Sequence, residues 1–497
     1  MAGTYRAGEE KIRPGVYRRY TTQNRQGAAG AMTGVFAIPV HADFGPLRTV
    51  TTHTKFDTVK KLYGEGGTVK GVQNLFKGGA VKVFVYRLGT EVNTETETAG
   101  VCQTLEFQDE SRNDDDKTIM ILRTKYPTAI SFTVDIKEKP VDKTKKQFIV
   151  YQGAVLKETL EYEALEGADE AKVLTELINK QSAIFTAEKT VNEAVSFNNM
   201  SVVEIQSGSN PKVTIEDYNA AFTAFEAFKW NILVPDTTNA DVQDILKIYM
   251  ERIKENGAIG SCVVGGRIHD VENINGLEGS DYKGMTFEER LKKAKAFNSE
   301  YFIYTGSGYA DEDGNVIDDY EAVTMQAGII GSTPCSQSIV HTVIPGAVDT
   351  LEALRNEDYI KAIENGMLML SPSEDGQVWF DSGVTTRTDL KENQDAGWKK
   401  IRRTMTRYEM FDRIDRTITP LIGKVNCDAD GIANIVKIAK DVLNAMVKEG
   451  KLKEGADFYE DAEYSRKDDN VHFIIAAYDV DSLEKIYLNY QFSFTAE

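Results

Sequence analysis

The sequence predicts a multi-domain α/β protein, α+β overall, with a mostly parallel α/β core. Three observations support this fold class. The chain has 497 residues, enough for several hydrophobic cores. From residue 219 onward, strand-like and helix-like segments alternate, which is typical of a parallel sheet. Between residues 101 and 206 the pattern changes to short strands, which predicts a β-rich insertion into the larger body.

The chain opens with an extended arm, predicted at residues 1–22. Pro14 fixes its own φ and removes a donor, and Gly15 breaks any helix. The first part of the α/β body follows at residues 23–90. Its predicted elements are a strand in "GVFAIPVHADFGP", helices in "TKFDTVKKLYG" and "TVKGVQNLFKGG", and a strand in "AVKVFVYRLG".

An inserted β-rich domain is predicted at residues 91–206, because the polar, aperiodic stretch "GTEVNTETETAG" marks a boundary before it. Its strand candidates are "CQTLEF", "TIMILRTKY", "ISFTVDI" and "QFIVYQG", and "GADEAKVLTELINKQ" is its one amphipathic helix. We expect this domain to lie on the outer surface of the protein, because insertions are tolerated best there.

The α/β body resumes over residues 207–375. Thr286 and Glu289 stand in capping-box spacing and predict the start of one of its helices. The predicted strands are "WNILVP", "AIGSCVVGG" and "YFIYTG", and the predicted helices are "NADVQDILKIYMERIKENG", "MTFEERLKKAKAF" and "DYEAVTMQAGIIGS". Strand and helix alternate, so the sheet is expected to be largely parallel.

A C-terminal α/β domain is predicted at residues 376–483. It begins with a long basic helix-like stretch, continues with an amphipathic helix at 430–449, and includes the strand "VHFIIAAYDV". The predicted apolar face of the second helix consists of Ile432, Ile435, Val436, Ala439, Val442, Leu443 and Met446.

The last residues, 484–497, are predicted to be a strand arm. Alternation in "EKIYLNYQFSF" places five large apolar side chains on one face: Ile486, Leu488, Tyr490, Phe492 and Phe494. Chain ends usually fray. A strand at this position therefore either completes the chain's own sheet or pairs with another molecule.

Composition excludes several function classes. A formal charge of −19 and a pI near 4.9 argue against a general binder of nucleic acid or anionic membranes. Four widely spaced cysteines favour a reducing compartment over a disulfide framework. We expect no membrane span and no secretory signal, because no long apolar run is present.

Motifs for catalysis, cofactors or metals are not found. "YTGSGYADEDGN" lacks both the dinucleotide and the P-loop spacing, and two Asp-Gly loops lack the full calcium pattern. The five histidines are isolated in sequence. The basic run at 399–407 is interleaved with acids, which favours protein contacts or internal salt bridges over nucleic acid. The sequence therefore predicts a protein that is not an enzyme and holds no cofactor.

A family resemblance emerges from blocks that occur in order along nearly the whole chain. They include "IRPGVYRRY", "GVFAIPVHADFGP", "VQNLFKGGAVKVFVYRL", "VENINGLEG", "MQAGIIGSTPCSQSIVHTVIPGAVD", "AIENGMLMLSP", "WKKIRRTMTRYEMFDRI" and "LIGKVNCDADGIANI". Together they resemble the contractile tail sheath protein of bacteriophages and phage-tail-like bacteriocins. The resemblance is to the subfamily of phages of Gram-positive bacteria.

This resemblance implies a structural machine. Subunits of the family form six-fold rings that wind helically around an inner tail tube protein and contract to drive the tube through a bacterial envelope. Each subunit lends an N-terminal and a C-terminal strand to neighbouring copies. The residues that would form these arms here are Val16, Tyr17, Arg18, Tyr20, Ile486, Leu488, Tyr490, Phe492 and Phe494.

The resemblance also implies further partners. The family contacts its tube through a helix near the C-terminus, and the matching candidates here are Lys437, Lys440 and Lys448. Baseplate and tail terminator proteins are expected partners, without direct nucleic-acid contact or membrane insertion. The implied location is a virion or phage-tail-like particle assembled in the bacterial host cytoplasm. The alternative is a cytoplasmic α/β enzyme or ligand-binding protein whose terminal strands complete its own sheet.

Overall fold

The computed structural model describes residues 2–4, 16–18, 33–90, 99–109, 111–112, 117–165, 167–270, 283–392, 394–464 and 470–492. The chain divides into two compact units. The body unit comprises residues 32–408 and 479–497, and the second unit comprises residues 1–31 and 409–478. Among the described residues, we find no helix with the length and apolar composition that a membrane span requires.

The secondary structure is mixed. The strands are β1 (Ala2–Thr4), β2 (Val16–Arg18), β3 (Val35–Val40), β4 (Val50–His53), β5 (Lys82–Arg87), β6 (Thr104–Gln108), β7 (Thr118–Thr124), β8 (Phe132–Lys139), β9 (Asp142–Gln152), β10 (Val155–Glu163), β11 (Phe185–Lys189), β12 (Met200–Glu204), β13 (Ile232–Leu233), β14 (Ser261–Gly265), β15 (Phe302–Thr305), β16 (Tyr309–Asp311), β17 (Val316–Ile317), β18 (Ala347–Thr350), β19 (Met367–Leu368), β20 (Leu370–Pro372), β21 (Val378–Phe380), β22 (Asp457–Glu460) and β23 (Phe473–Ala476). The helices are α1 (Phe56–Tyr63), α2 (Val69–Lys77), α3 (Glu170–Gln181), α4 (Ile215–Phe225), α5 (Ala240–Glu255), α6 (Phe287–Phe297), α7 (Asp319–Ser332), α8 (Asn356–Glu364), α9 (Ile401–Ile418) and α10 (Ala429–Lys448).

A seven-stranded sheet with the order β19-β15-β14-β13-β3-β5-β4 forms the centre of the body unit. All its neighbours pair in parallel except β4, which runs antiparallel to β5. Each face carries its own core: Phe36 packs with α2 and α7 residues on one side, and Ala37 packs with α4 and α5 residues on the other. The predicted multi-domain α/β fold with a mostly parallel core is confirmed.

The region between β5 and α4 contains two antiparallel sheets, with the orders β10-β9-β8-β12 and β11-β7-β6. Together with α3 they enclose a separate hydrophobic core that includes Phe148, Leu174 and Phe185. A β-rich insertion is therefore present. Its predicted limits, 91–206, remain a prediction, since residues 91–98 lie outside the described part.

One buried arginine joins this insertion to the body. The guanidinium of Arg87 donates to the carbonyl oxygens of Ala42 (2.9 Å) and Gly45 (2.8 Å) in the body, and to that of Pro127 (2.9 Å) in the insertion. Burial lowers the pKa of Arg87 to about 10, and the nearby Asp43 carboxylate opposes that shift. Because a buried cation is costly unless its donors are satisfied, these three bonds fix the junction.

In the second unit, α10 packs on the C-terminal part of α9 and on the β22–β23 pair. The predicted apolar face of α10 is confirmed, and Leu443 and Met446 are fully buried. Arg413 forms two 2.8 Å bonds to the Glu449 carboxylate and also contacts Glu409. α9 is a single helix whose residues up to Tyr408 belong to the body unit.

The predicted terminal strand is not a strand in this structure. None of residues 477–492 belongs to a strand, and residues 493–497 lie outside the described part. The physical reason is that a strand requires hydrogen bonds to a neighbour. Within the described chain, residues 486–492 have no strand beside them.

Candidate assembly surfaces

The C-terminal segment exposes a row of large apolar side chains. Ile486 is 69% exposed, Leu488 70%, Tyr490 72% and Phe492 91%. The rings of Tyr490 and Phe492 are stacked with centroids 6.4 Å apart, as expected for side chains two residues apart on one face of an extended chain. A row of this size exposed to water is typical of an interaction site. Phe494, the fifth predicted member, lies outside the described residues.

The N-terminal candidates occupy a different setting. Val16, Tyr17 and Arg18 form β2, which pairs in parallel with β1 of the same chain. Tyr20 lies outside the described residues. The structure thus places three of these four residues in a strand, and their pairing with another copy stays a prediction.

The root of the C-terminal segment, residues 479–484, is held by the basic run that precedes and begins α9. Nε and Nη2 of Arg403 each donate to a carboxylate oxygen of Asp479 at 2.6 Å. Lys400 Nζ lies 2.7 Å from Asp481 and 2.9 Å from Glu484. The sequence-based preference for internal salt bridges over nucleic acid agrees with this geometry.

The pKa values follow from these contacts. Burial alone raises the pKa of Asp479, but hydrogen bonds from Arg403 and the charges of Arg403 and Arg407 hold it below its ordinary value. Burial likewise lowers the pKa of Lys400, and hydrogen bonds to Asp481 and Glu484 outweigh that effect and raise it. The root is thus a set of charged groups in which each partner stabilises the ionised form of the other.

The lysines proposed for the tube contact differ from one another. Lys437 and Lys448 are exposed on α10, and neither forms an ion pair within the part of the chain that the structure describes. Lys440 Nζ instead lies 2.8 Å from Asp457 at the start of β22. Only two of the three lysines therefore present an ammonium group without an acidic partner beside it.

The second unit contains a two-stranded sheet in which one strand was predicted, since β23 lies within "VHFIIAAYDV", and the other, β22, was not. β22 and β23 pair antiparallel, from Asp457↔Ala476 to Glu460↔Phe473, and neither has a further strand beside it among the described residues. Two strands alone are marginally stable in water, so this pair depends on packing or on added strands. The half-buried run Phe473–Ala476 is the part of the predicted segment that forms the strand.

A buried carboxyl group lies at the carboxyl edge of the central sheet, where α/β enzymes usually bind ligands. Asp236 accepts hydrogen bonds from Tyr218 Oη (2.7 Å), from the backbone N–H of His41 (3.0 Å) and from Thr68 Oγ1. Burial raises the pKa of Asp236 to about 6, and these three donors oppose the shift. Both carboxyl oxygens already have protein donors, which is typical of a structural group.

His53 lies in an equally structural setting. The ring of His53 is hydrogen-bonded at Nε2 to Thr51 Oγ1 (2.9 Å) and at Nδ1 to Thr58 Oγ1 (2.8 Å). Among the residues that the structure describes, no group of three metal-ligating side chains comes together. Asp313 and Gly314 lie in the tight turn between β16 and β17, where Asp311 accepts from the backbone N–H groups of Asp313 and Asn315.

Comparison with known proteins identifies the central part of the body. Residues 211–386 match the family model of the phage tail sheath protein central domain. The chain carries a phage tail sheath domain. The resemblance drawn from the sequence blocks is thereby confirmed, and the matched sheath domain runs from just before α4 to just after β21.

A relative and two solved structures extend this likeness beyond the sheath domain. The chain is 20% identical over 506 residues to the phage-like element PBSX protein XkdK of Bacillus subtilis (strain 168), covering 98% of both chains. The sheath tail protein Lin1278 from Listeria innocua shares 16% identity and a TM-score of 0.66, over 90% of this chain and 95% of that one. A helical sheath of the anti-feeding prophage in its contracted state shares 10% identity and a TM-score of 0.50, over 97% and 99%. These structures show a common fold.

Proposed function

We propose that this protein is the subunit of a contractile tail sheath, which polymerises helically around an inner tube and contracts to drive that tube through a bacterial envelope. The sheath domain and the likeness to solved sheath proteins support a sheath subunit. The observation that carries the assembly proposal is the exposed apolar row from Ile486 to Phe492. A subunit that stayed monomeric would leave this apolar row in contact with water.

In this proposal, residues 486–494 add to a sheet of a neighbouring copy. Main-chain hydrogen bonds supply affinity in such strand addition, and the alternating side chains supply specificity. The β22–β23 pair of the neighbour is the acceptor we favour, since its outer edges lack partner strands in the described chain. A third strand turns a marginal two-stranded ribbon into a stable sheet. The N-terminal residues around Val16–Arg18 serve as the second arm.

The inner tube is contacted through α10. Lys437 and Lys448 are the exposed ammonium groups on that helix, whereas Lys440 is engaged by Asp457. Baseplate and terminator proteins close the two ends of the polymer. The protein resides in a virion or a phage-tail-like particle assembled in the bacterial cytoplasm. Its role is structural rather than catalytic, in keeping with a buried carboxyl, Asp236, whose oxygens are already hydrogen-bonded.

Electron microscopy of the purified chain tests the proposal. The full chain is expected to form tubular polymers, alone or with the tube protein. Chains lacking residues 1–22 or 484–497 are expected to stay folded and monomeric, because the removed segments connect copies. Compact particles of fixed size from the full chain, or tubes of normal yield from both truncated chains, contradict the proposal.

A point substitution separates loss of the arm from loss of the fold. Leu488→Asp places a charge within the exposed row and is expected to abolish polymers while leaving the isolated subunit folded, since burying an unpaired charge is costly. Val141→Asp is the matched control, because Val141 is 92% exposed in the turn between β8 and β9. It should polymerise normally.

A further inference from the structure

The residues immediately before the exposed apolar row behave differently from the row itself. Asp479, Asp481 and Glu484 each contact a cation, and Ser338 Oγ donates to Glu484 at 3.0 Å. Two positions beyond this contact, Ile486 is largely exposed. The last of these contacts falls at Glu484, while Leu483, within the held segment, is itself 81% exposed.

The cations on the other side of this contact are themselves held in place by the body unit. Arg402 is 7% exposed, and it donates to the carbonyl oxygens of Cys335 (3.2 Å) and Ser336 (2.9 Å) as well as to Ser482 Oγ (3.0 Å). Arg403 also contacts Asp395 at 3.3 Å. Arg402 and Arg403 therefore have contacts to the body unit besides those to the acidic root, and such contacts reduce the side-chain entropy lost when the root binds.

The central ion pair is shielded from solvent. The side chains of Arg403 and Asp479 are 19% and 12% exposed, and their two hydrogen bonds have the parallel fork geometry of a bidentate pair. Exposed ion pairs contribute little to stability, whereas bidentate, partly buried pairs within a network contribute more. Arg407, stacked 4.0 Å from the Trp398 ring, adds a second positive charge beside the same carboxylate.

We propose that Lys400, Arg402 and Arg403 form an electrostatic latch that fastens residues 479–484 to the body unit, so that the movable arm begins at Lys485. This inference rests on the proposed donation of residues 486–494 to a neighbour. It adds the residue at which the movable arm begins, Lys485, and the charged contacts whose loss would move that point back to residue 479.

The latch sets the reach of the arm. An extended chain spans about 3.3 Å per residue, so residues 485–494 reach about 33 Å from a closed latch, while residues 479–494 reach about 53 Å from an open one. Opening the latch therefore supplies about 20 Å of slack. A subunit whose body moves while its donated strand remains paired needs slack of this kind, and charged contacts can release it without unfolding a core.

Limited proteolysis of the full chain with chymotrypsin tests the latch. At low salt, the peptide bond after Leu483 is expected to be cleaved at least about tenfold more slowly than the bonds after Leu488 and Tyr490, because cleavage requires the chain to open locally. The variant Asp479→Asn/Asp481→Asn/Glu484→Gln should lose this protection. The matched control Glu374→Gln/Asp375→Asn/Glu392→Gln removes the same charge from exposed positions and should keep it.

Charge reversal provides an independent test of the latch. Arg403→Glu alone should lose the protection of the bond after Leu483, and adding Asp479→Arg should restore at least part of it. Equal protection in wild type and the triple variant, or equal loss in the control, overturns the latch. These outcomes are separate from the proposed function: tubes from the wild-type chain with an unprotected root overturn only the latch, whereas a protected root without tubes overturns only the assembly proposal.

Discussion

β5 and the C-terminal segment are built from similar sequence and have opposite environments. β5 reads "KVFVYR" and the segment beginning at Lys485 reads "KIYLNYQF". β5 lies between β3 and β4, and Val83 and Val85 are fully buried. The C-terminal segment carries comparable side chains in water. Alternation and β-branched or aromatic residues thus specify a segment that can form a strand, and the presence of a partner strand decides whether it does so.

The largest change in the free energy of unfolding is expected for a charge placed in β5, the buried strand. Val85→Asp places a carboxylate inside the central sheet and should lower the free energy of unfolding by about 4 kcal/mol or more. Leu488→Asp in the isolated subunit should change it by less than about 0.5 kcal/mol, because Leu488 is already exposed. Urea denaturation followed by circular dichroism measures both. Equal losses would remove the distinction between the two segments.

A smaller effect is expected at the buried carboxyl of the same sheet. Asp236→Ala leaves Tyr218, Thr68 and the His41 N–H without their acceptor and should cost about 3 kcal/mol. Asp244→Ala, at an exposed position on α5, is the control and should be nearly neutral. Urea denaturation measures both variants. An Asp236→Ala variant as stable as wild type would contradict a stabilising role for these hydrogen bonds.

The difference in stability between wild type and Asp236→Ala is expected to depend on pH in one direction. Its pKa in the folded chain is about 6, above the ordinary value of about 3.9, so the folded state binds more protons between these values. The contribution of the carboxyl to stability is fully present below about pH 4 and falls as pH rises to about 6. The advantage of wild type over Asp236→Ala should shrink across that window.

These positions also show how far sequence reasoning reached. The parallel sheet was predictable because its strands are continuous apolar runs separated by helices with clear periodicity, and because a capping box at Thr286 and Glu289 fixed one helix start. The hydrogen bonds of Asp236 were not predictable, because Thr68, one of its donors, lies 168 residues away in the sequence. The root contacts were equally hidden, because Arg403 and Asp479 are 76 residues apart and nothing local pairs them.

In the second unit, the Arg413–Glu449 pair predicts a modest acid sensitivity. Hydrogen bonds from Arg413, with those from Lys451, hold the pKa of Glu449 at about 2. The contribution of this pair is present above about pH 4.3 and is lost as pH falls towards 2. Glu449 is 40% exposed, so screening reduces the expected effect to about 1 kcal/mol.

Glu449→Gln removes most of this sensitivity and tests it. Thermal melts between pH 5 and pH 2 should show a shallower loss of stability for Glu449→Gln than for wild type, with Glu454→Gln, an exposed neighbour, as the control. Parallel curves for all three proteins would show that the pair contributes nothing to folding stability.

The smallest effect is expected at the surface lysines of α10. Lys437→Gln with Lys448→Gln should weaken co-sedimentation with the tube protein at low salt, by about 1 kcal/mol or less per charge, and the difference should vanish at high salt. Lys440→Gln should have less effect, because Lys440 is paired with Asp457. Unchanged co-sedimentation of the double variant at low salt would exclude this face of α10.

The most direct measurement is a high-resolution reconstruction of the assembled polymer. We predict that residues 486–494 of each copy lie hydrogen-bonded in a sheet of a neighbouring copy, with the side chains of Ile486, Leu488, Tyr490 and Phe492 covered. A polymer in which both chain ends fold back onto their own subunit, with no strand passing between copies, would contradict it.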